Sequence, residues 1–285
     1  VTIGMRRTLA ALGLAALAVG RAGDETPPLD RVGTLTDPAL REISGLVASR
    51  RHPGIFWAVA DSNNPPLLFA LRADGRLVAT FRVGVANVDW EDVATDDRGN
   101  LYIGEIGNNG GRLPLRSIYR VAEPDPAAPT NRPLPVAESS FYRFDADRFD
   151  AEALFIRDGE AIVVAKGRDI EGARLFAIPI DPPSSVFRPS RPQPRGRLAR
   201  FVEPATGGSL TPDGRRLAVC GTNVVRVYEA TEAGAWRLVA ERKFRGDDQV
   251  EAVAWERDDL VLAGERGGIY RIGEDRWRTA IPADR

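Results

Sequence analysis

One cysteine, one histidine and two lysines stand among 285 residues, and each shortage removes a class of chemistry. A lone thiol, Cys220, makes neither an internal disulfide nor a cysteine zinc site, and its apolar neighbours assign it to core packing. A lone imidazole, His52, sits in the turn Arg51-His52-Pro53-Gly54, which argues against a Ser-His-Asp triad and a histidine-rich metal centre. The lysines are Lys166 and Lys243, the other cations are arginines, and the formal net charge is -1. Such a chain presents no basic field to nucleic acid or an anionic membrane.

Long apolar runs are also missing. The run Leu9 to Val19 is shorter than the ~20 residues a spanning helix needs. It follows Arg6 and Arg7 and leads into Gly20-Arg21-Ala22, the order of a secretory signal peptide. Residues 1–22 therefore read as a removed leader and 23–285 as one mature domain, secreted or periplasmic, without a membrane span and expected to be monomeric. Arg21 occupies the place where a lipoprotein box needs a thiol, which excludes lipid attachment there.

What the chain does have is a repeat. Its unit is an acidic start, a short apolar strand, an Asp/Gly turn, a second apolar strand ending in a charged residue, and an aromatic third strand. The clearest copy runs Asp89-Trp90-Glu91-Asp92-Val93-Ala94, turn Asp97-Arg98-Gly99, Leu101 to Glu105, then Ile118-Tyr119-Arg120-Val121. Other copies begin at Glu42, Asp150 and Gln249, and a degenerate fourth begins Ala205-Thr206-Gly207-Gly208. Fourth strands are expected over 77–83, 139–144, 198–202 and 236–243, with Pro-rich loops at 124–135 and 182–194.

Each unit is too short for a βαβ crossover and lacks a 3.6-residue period, so it predicts an antiparallel meander. Meanders repeated every roughly 45–60 residues predict an all-β, WD40-like β-propeller of four-stranded blades. Five blades are expected, or six if residues 277–281 add strands, with residues 31–36 closing the ring against the last blade.

The motifs Glu42-Ile43-Ser44-Gly45-Leu46, Asp89-Trp90-Glu91-Asp92, Glu152-Ala153, Glu251-Ala252 and Glu105-Ile106-Gly107-Asn108-Asn109 resemble those of an uncharacterised family of exported bacterial propellers. More distantly the chain is similar to SdiA-regulated and phytase-like propellers. That resemblance implies the fold and a calcium site, and it supplies no mechanism.

In a meander the start of the first strand and the end of the second lie at one end. Glu42, Asp89, Glu91, Asp150, Glu152 and Glu251 begin first strands, and Asp61, Glu105, Lys166 and Glu265 end second strands, with Arg168 and Arg266 just beyond. All should gather at one mouth of the channel as a ligand-binding face for a small molecule, ion or protein, while the turns at Asp97, Asp158, Asp213 and Asp258 lie opposite. Clustered carboxylates repel unless a cation compensates. Calcium held by Asp89, Glu91, Glu152 and Glu251, with amide oxygens from Asn63, Asn64, Asn108 and Asn109, is one answer. Three readings stay open: carboxylates that brace the backbone, a structural ion, or a substrate site. Functionally these correspond to a binding or scaffold propeller, with a metal-dependent phosphoester or ester hydrolase as the alternative.

Overall fold

The computed structural model describes residues 26–144 and 149–278; the leader read at 1–22 lies outside them. Among the described residues no helix is long and apolar enough to cross a membrane.

Strand β1 (Asp30–Thr34) comes first in the chain and last in the ring. Blade one follows as β2 (Ile43–Ala48), β3 (Phe56–Ala60), β4 (Leu67–Leu71) and β5 (Leu77–Arg82). Blade two is β6 (Trp90–Thr95), β7 (Asn100–Glu105), β8 (Arg116–Ala122) and β9 (Val136–Tyr142). Blade three is β10 (Ala151–Arg157), β11 (Glu160–Ala165), β12 (Ala173–Pro179) and β13 (Gln193–Leu198). Blade four is β14 (Gly207–Leu210), β15 (Arg216–Gly221), β16 (Val224–Ala230) and β17 (Trp236–Lys243). Strands β18 (Val250–Glu256), β19 (Asp259–Gly264) and β20 (Gly268–Ile272) complete blade five together with β1.

Every sheet is an antiparallel meander, and the five first strands β2, β6, β10, β14 and β18 pack side by side in a closed ring. The apolar residues of each blade face the next, giving five cores between five blades. Trp57, Phe81, Trp90 and Ile103 lie between blades one and two, and Cys220, Val253 and Leu262 between four and five. Cys220 is free and fully buried, in the core role its sequence context implies.

The Asp158-Gly159 turn is a two-residue hairpin with φ of 53° and 79°, the left-handed pair that matches strand twist. One expected strand needs correction, and one open alternative is decided. The fourth strand of blade three is 193–198, not 198–202, because the Pro-rich segment itself supplies an exposed outer strand whose alternation carries no apolar signal. Residues Glu274–Arg278 form a helical turn rather than a strand, 279–281 lie outside the described residues, and the described strands make five blades as expected. Trp277 of that turn packs edge-on to Trp255 with centroids 5.7 Å apart.

Ring closure pairs Asp30 with Arg271 and Thr34 with Gly268. Removing 30–34 would leave the backbone of β20 unpaired at an open edge. That deletion is expected to increase aggregation over the full chain, as read by light scattering.

Candidate functional site

Four of the five inner strands open with the same irregularity. The ladder slips by one residue at Ser44 in β2, Glu91 in β6, Glu152 in β10 and Glu251 in β18. Blade four has no slip, and Thr206 holds the corresponding place just before β14. The hydroxyls of Ser44 and Thr206 each donate to the neighbouring blade, to Trp90 O at 3.1 Å and Val250 O at 2.8 Å. A bulge frees its extra residue from the ladder and re-aims the side chain. The mouth is therefore ringed by three glutamates and two hydroxyls.

Around this ring the ends of the second strands close in. Asp61 N, Lys166 N and Glu265 N each bond back to the carbonyl that precedes their first strand, at 2.9, 3.0 and 2.9 Å. Glu105 does not share that position: it pairs with Trp90 one residue earlier, and Ile106 takes the equivalent of Asp61. A one-residue offset reverses the face. The Glu105 carboxylate accepts from Val88 N at 3.2 Å and from Asp89 N, so it braces the entry to β6 and fixes Asp89.

Five carboxylates converge into two triads that share Glu91. Asp61, Asp89 and Glu91 each offer an oxygen within 4.8 Å of the others, and so do Glu91, Asp150 and Glu152. The second triad has its own cation, because Lys166 Nζ donates to Glu152 and to Asn109 Oδ1 at 3.0 Å. Among the described residues the first has none that bonds to it directly. Glu91 is 2% exposed and its Oε1 is buried without a hydrogen-bond partner. A Cβ at Gly107 would overlap Glu91 Oε1 and stand 2.6 Å from Asp89 Oδ2, so only glycine lets the loop pass over these oxygens.

The electrostatics follow from this crowding. Burial, then the neighbouring Asp61 and Asp150, push Asp89 up to about 6. Burial, Glu152 and Glu265 raise Glu251 to about 8, and burial raises Glu105 to about 7. Burial also lifts Asp61, with Glu42 adding to it. Glu91 and Glu152 behave as one buried pair, both raised by burial. Glu152 is held down by the Lys166 ammonium that it accepts from, so Glu91 is the more strongly raised of the two. Burial opposes the charge on Lys166, yet Glu152, Asp150 and Glu91 keep its pKa above the ordinary value.

The remaining predicted residues occupy the rim. Glu42 is exposed and accepts from Asn64 Nδ2 at 3.1 Å, and Glu265 accepts from Gln249 Nε2 at 2.8 Å. Arg168 and Arg266 are exposed on the loops after β11 and β19. Asn108 and Asn109 have their amide oxygens engaged, by Leu113 N at 2.8 Å and by Lys166. Asn63 donates to its neighbour Ser62 Oγ at 3.3 Å.

Two residues that matter here escape a reading of the sequence. Arg116 is buried behind the acids, donates to Phe149 O, and lies 5.8 Å from the Phe144 ring. Burial lowers its pKa, with Asp150 and Asp89 among the groups that offset this. Asp92 fills the channel axis beneath the triads. Its carboxylate accepts from Val93 N at 2.8 Å, from Leu154 N of blade three at 2.8 Å and from Gly208 N of blade four at 3.3 Å. Burial drives Asp92 up and these three N–H groups pull it down.

The opposite mouth carries the hairpin turns: Asp97, Asp158 and Asp213 line one cavity there and Asp258 an adjoining one. The turn holding His52 flanks the second.

No family model and no curated protein matches this sequence. Among solved structures, Myxococcus xanthus glutaminyl cyclase is similar at 12% identity with a TM-score of 0.52, covering 86% of this chain and 97% of that one. The β-propeller domain of Myceliophteria thermophila Cps50 (Swd1) shares 11% identity over 81% of this chain and 83% of that one, with a TM-score of 0.44. The WD40 β-propeller domain of Doa1 shares 9% over 86% and 69%, with a TM-score of 0.40. Identities this low speak to architecture and not to activity: the chain is a five-bladed β-propeller of four-stranded antiparallel blades.

Proposed function

We infer that this propeller is an exported binding protein whose acidic mouth holds a hard divalent cation, calcium first, in the seat formed by Asp61, Asp89 and Glu91. The observation that carries the reading is Glu91 Oε1, a buried acceptor with no protein partner, turned toward carboxylates that lack a cation of their own. Leaving such an oxygen unsatisfied is costly, and hard oxygen donors suit calcium. Lys166 acts as the built-in cation of the adjoining seat, and backbone carbonyls and water complete the coordination. The motif resemblance to exported and phytase-like propellers supports the same assignment. Hydrolysis of an ester or phosphoester is the second reading, favoured by the Glu91–Glu152 pair, in which one acid keeps its proton beside an ionised partner. Phosphate would find little positive charge here, since Lys166 is committed to Glu152.

Calorimetric titration of chelator-treated protein is expected to show one calcium per chain, with a dissociation constant on the order of 10⁻⁴ to 10⁻³ M. Asp89→Asn should weaken binding at least tenfold. Absence of saturable heat with calcium, magnesium or manganese would remove the cation reading. Calcium-dependent phosphatase or esterase turnover lost in Glu91→Gln would instead establish the enzyme.

A further inference from the structure

The mouth opposite the acids has a different chemistry. It is built by the turns that join first and second strands, and it opens into two adjoining cavities of about 650 and 990 Å³. Arg50, in the turn after β2, lines both, and also the narrow recess that runs down the axis between β6, β10 and β14. Its position at the crossing of all three puts Arg50 where the cavities meet.

Arg50 is half-buried and makes no hydrogen bond or ion pair with any described residue. Burial lowers its pKa, with Asp97, Asp96 and Glu123 opposing. A guanidinium taken partly out of water without a partner is an expensive arrangement, and an oxyanion that it can grip with two parallel N–H bonds is the natural complement.

Of the five acids lining the same bowl, Asp96, Asp97, Asp158, Asp181 and Asp213, two are committed to other groups. Asp96 accepts from Arg98 N, Asn100 N, Asn100 Nδ2 and Tyr102 OH, all within 3.0 Å. Asp213 is taken by Thr211 Oγ1 at 2.5 Å and Arg215 N at 3.0 Å. The side chains of Arg98 and Arg215, on the turns of blades two and four, are exposed on the bowl without partners among the described residues. Arg157 lies 4.7 Å over the Trp236 ring and meets Asp158 only at 3.5 Å. Four arginines from four blades thus surround a cavity large enough for a small metabolite.

We propose that this bowl binds a small ligand bearing a phosphate or carboxylate group, with Arg50 making the central bidentate contact and Arg98, Arg157 and Arg215 closing round it. The propeller then carries opposite charge preferences at its two mouths, separated by the Asp92 plug. This site is independent of the cation seat, and the two fail separately.

The test is a calorimetric or NMR titration of chelator-treated protein with inorganic phosphate and, separately, with citrate, against chloride at matched ionic strength. Saturable binding of one or both is expected, and their relative affinities decide between phosphate and carboxylate. Arg50→Gln should weaken binding at least tenfold while leaving the calcium response intact, and Glu91→Gln should leave anion binding unchanged. Should Arg50→Gln fold poorly, the double substitution Arg98→Gln with Arg215→Gln gives a second reading, expected to weaken binding severalfold. No binding beyond the chloride reference, or wild-type affinity in the folded Arg50 or double variant, would overturn the proposal.

Discussion

Asp92→Ala is expected to destabilise the protein by about 3 kcal/mol or more, because it orphans three buried backbone N–H groups at the centre of the ring. Desolvation of the carboxylate works against its contribution, as its raised pKa records. The N–H groups of Val93, Leu154 and Gly208 nevertheless all lose this acceptor, and alanine leaves a cavity where three blades meet. For a domain of this size the loss lowers the melting temperature by roughly 6–12 °C. Asp92→Asn keeps one acceptor oxygen and should fall between wild type and Asp92→Ala. Thermal melts at pH 7 measure both, and a melting temperature unchanged in Asp92→Ala would mean that the axis is held by inter-blade packing alone.

Glu91→Gln should produce effects of opposite sign with and without calcium. Asp89, Glu251, Glu105 and the Glu91–Glu152 pair all have folded-state pKa values above the unfolded ones. An acid raised in this way contributes full stability below its unfolded pKa and loses it as pH rises toward the folded value, since the native state holds the extra proton. The window opens at about pH 4, where unfolded carboxylates titrate, and closes only at the highest folded value of the set, about 12 for Glu91. Metal-free protein should therefore melt at progressively lower temperature from pH 5 to pH 8, by at most about 1.4 kcal/mol per pH unit for each proton retained.

A bound cation reverses this, because it stabilises the ionised carboxylates and releases the protons. Calcium should raise the melting temperature more at pH 8 than at pH 5. Glu91→Gln removes the most deeply buried acid of the cluster, so it should be the more stable protein in chelator at pH 8 and should lose the calcium response. A variant that keeps the response would place the ion elsewhere.

Much of the architecture was legible because the repeat is punctuated by chemistry. Asp158-Gly159 could be read as a tight hairpin, and 31–36 as the closing strand, from turn residues and apolar spacing alone. The fourth strand of blade three was not legible: Gln193 to Arg197 is exposed, carries Pro194 and Gly196, and so has neither alternation nor β propensity.

The convergence of the acids followed from meander topology, but their roles depended on register. A period of two places Asp89 and Glu91 on one side and says nothing of a bulge, and the bulge is what turns Glu91 toward the channel. The signal for Asp92 was present in the alignment of copies. Gly45, Ala153, Gly207 and Ala252 hold its position elsewhere, small because strands crowd there, as the 2.7 Å between a Cβ on Gly45 and Asp92 Cα makes plain. A charged residue at a place that otherwise tolerates only a hydrogen or a methyl group marks the plug. Arg116 gave no such signal, since a buried arginine in a third strand looks like any surface cation until its neighbours are known.

Anomalous diffraction from crystals soaked in manganese or terbium tests the cation seat most directly. The account predicts a single strong peak bridged by Asp61, Asp89 and Glu91, beside Lys166 and absent in Glu91→Gln crystals. A mouth without a peak at saturating metal, or density held only by rim residues such as Glu42 and Glu265, would contradict it.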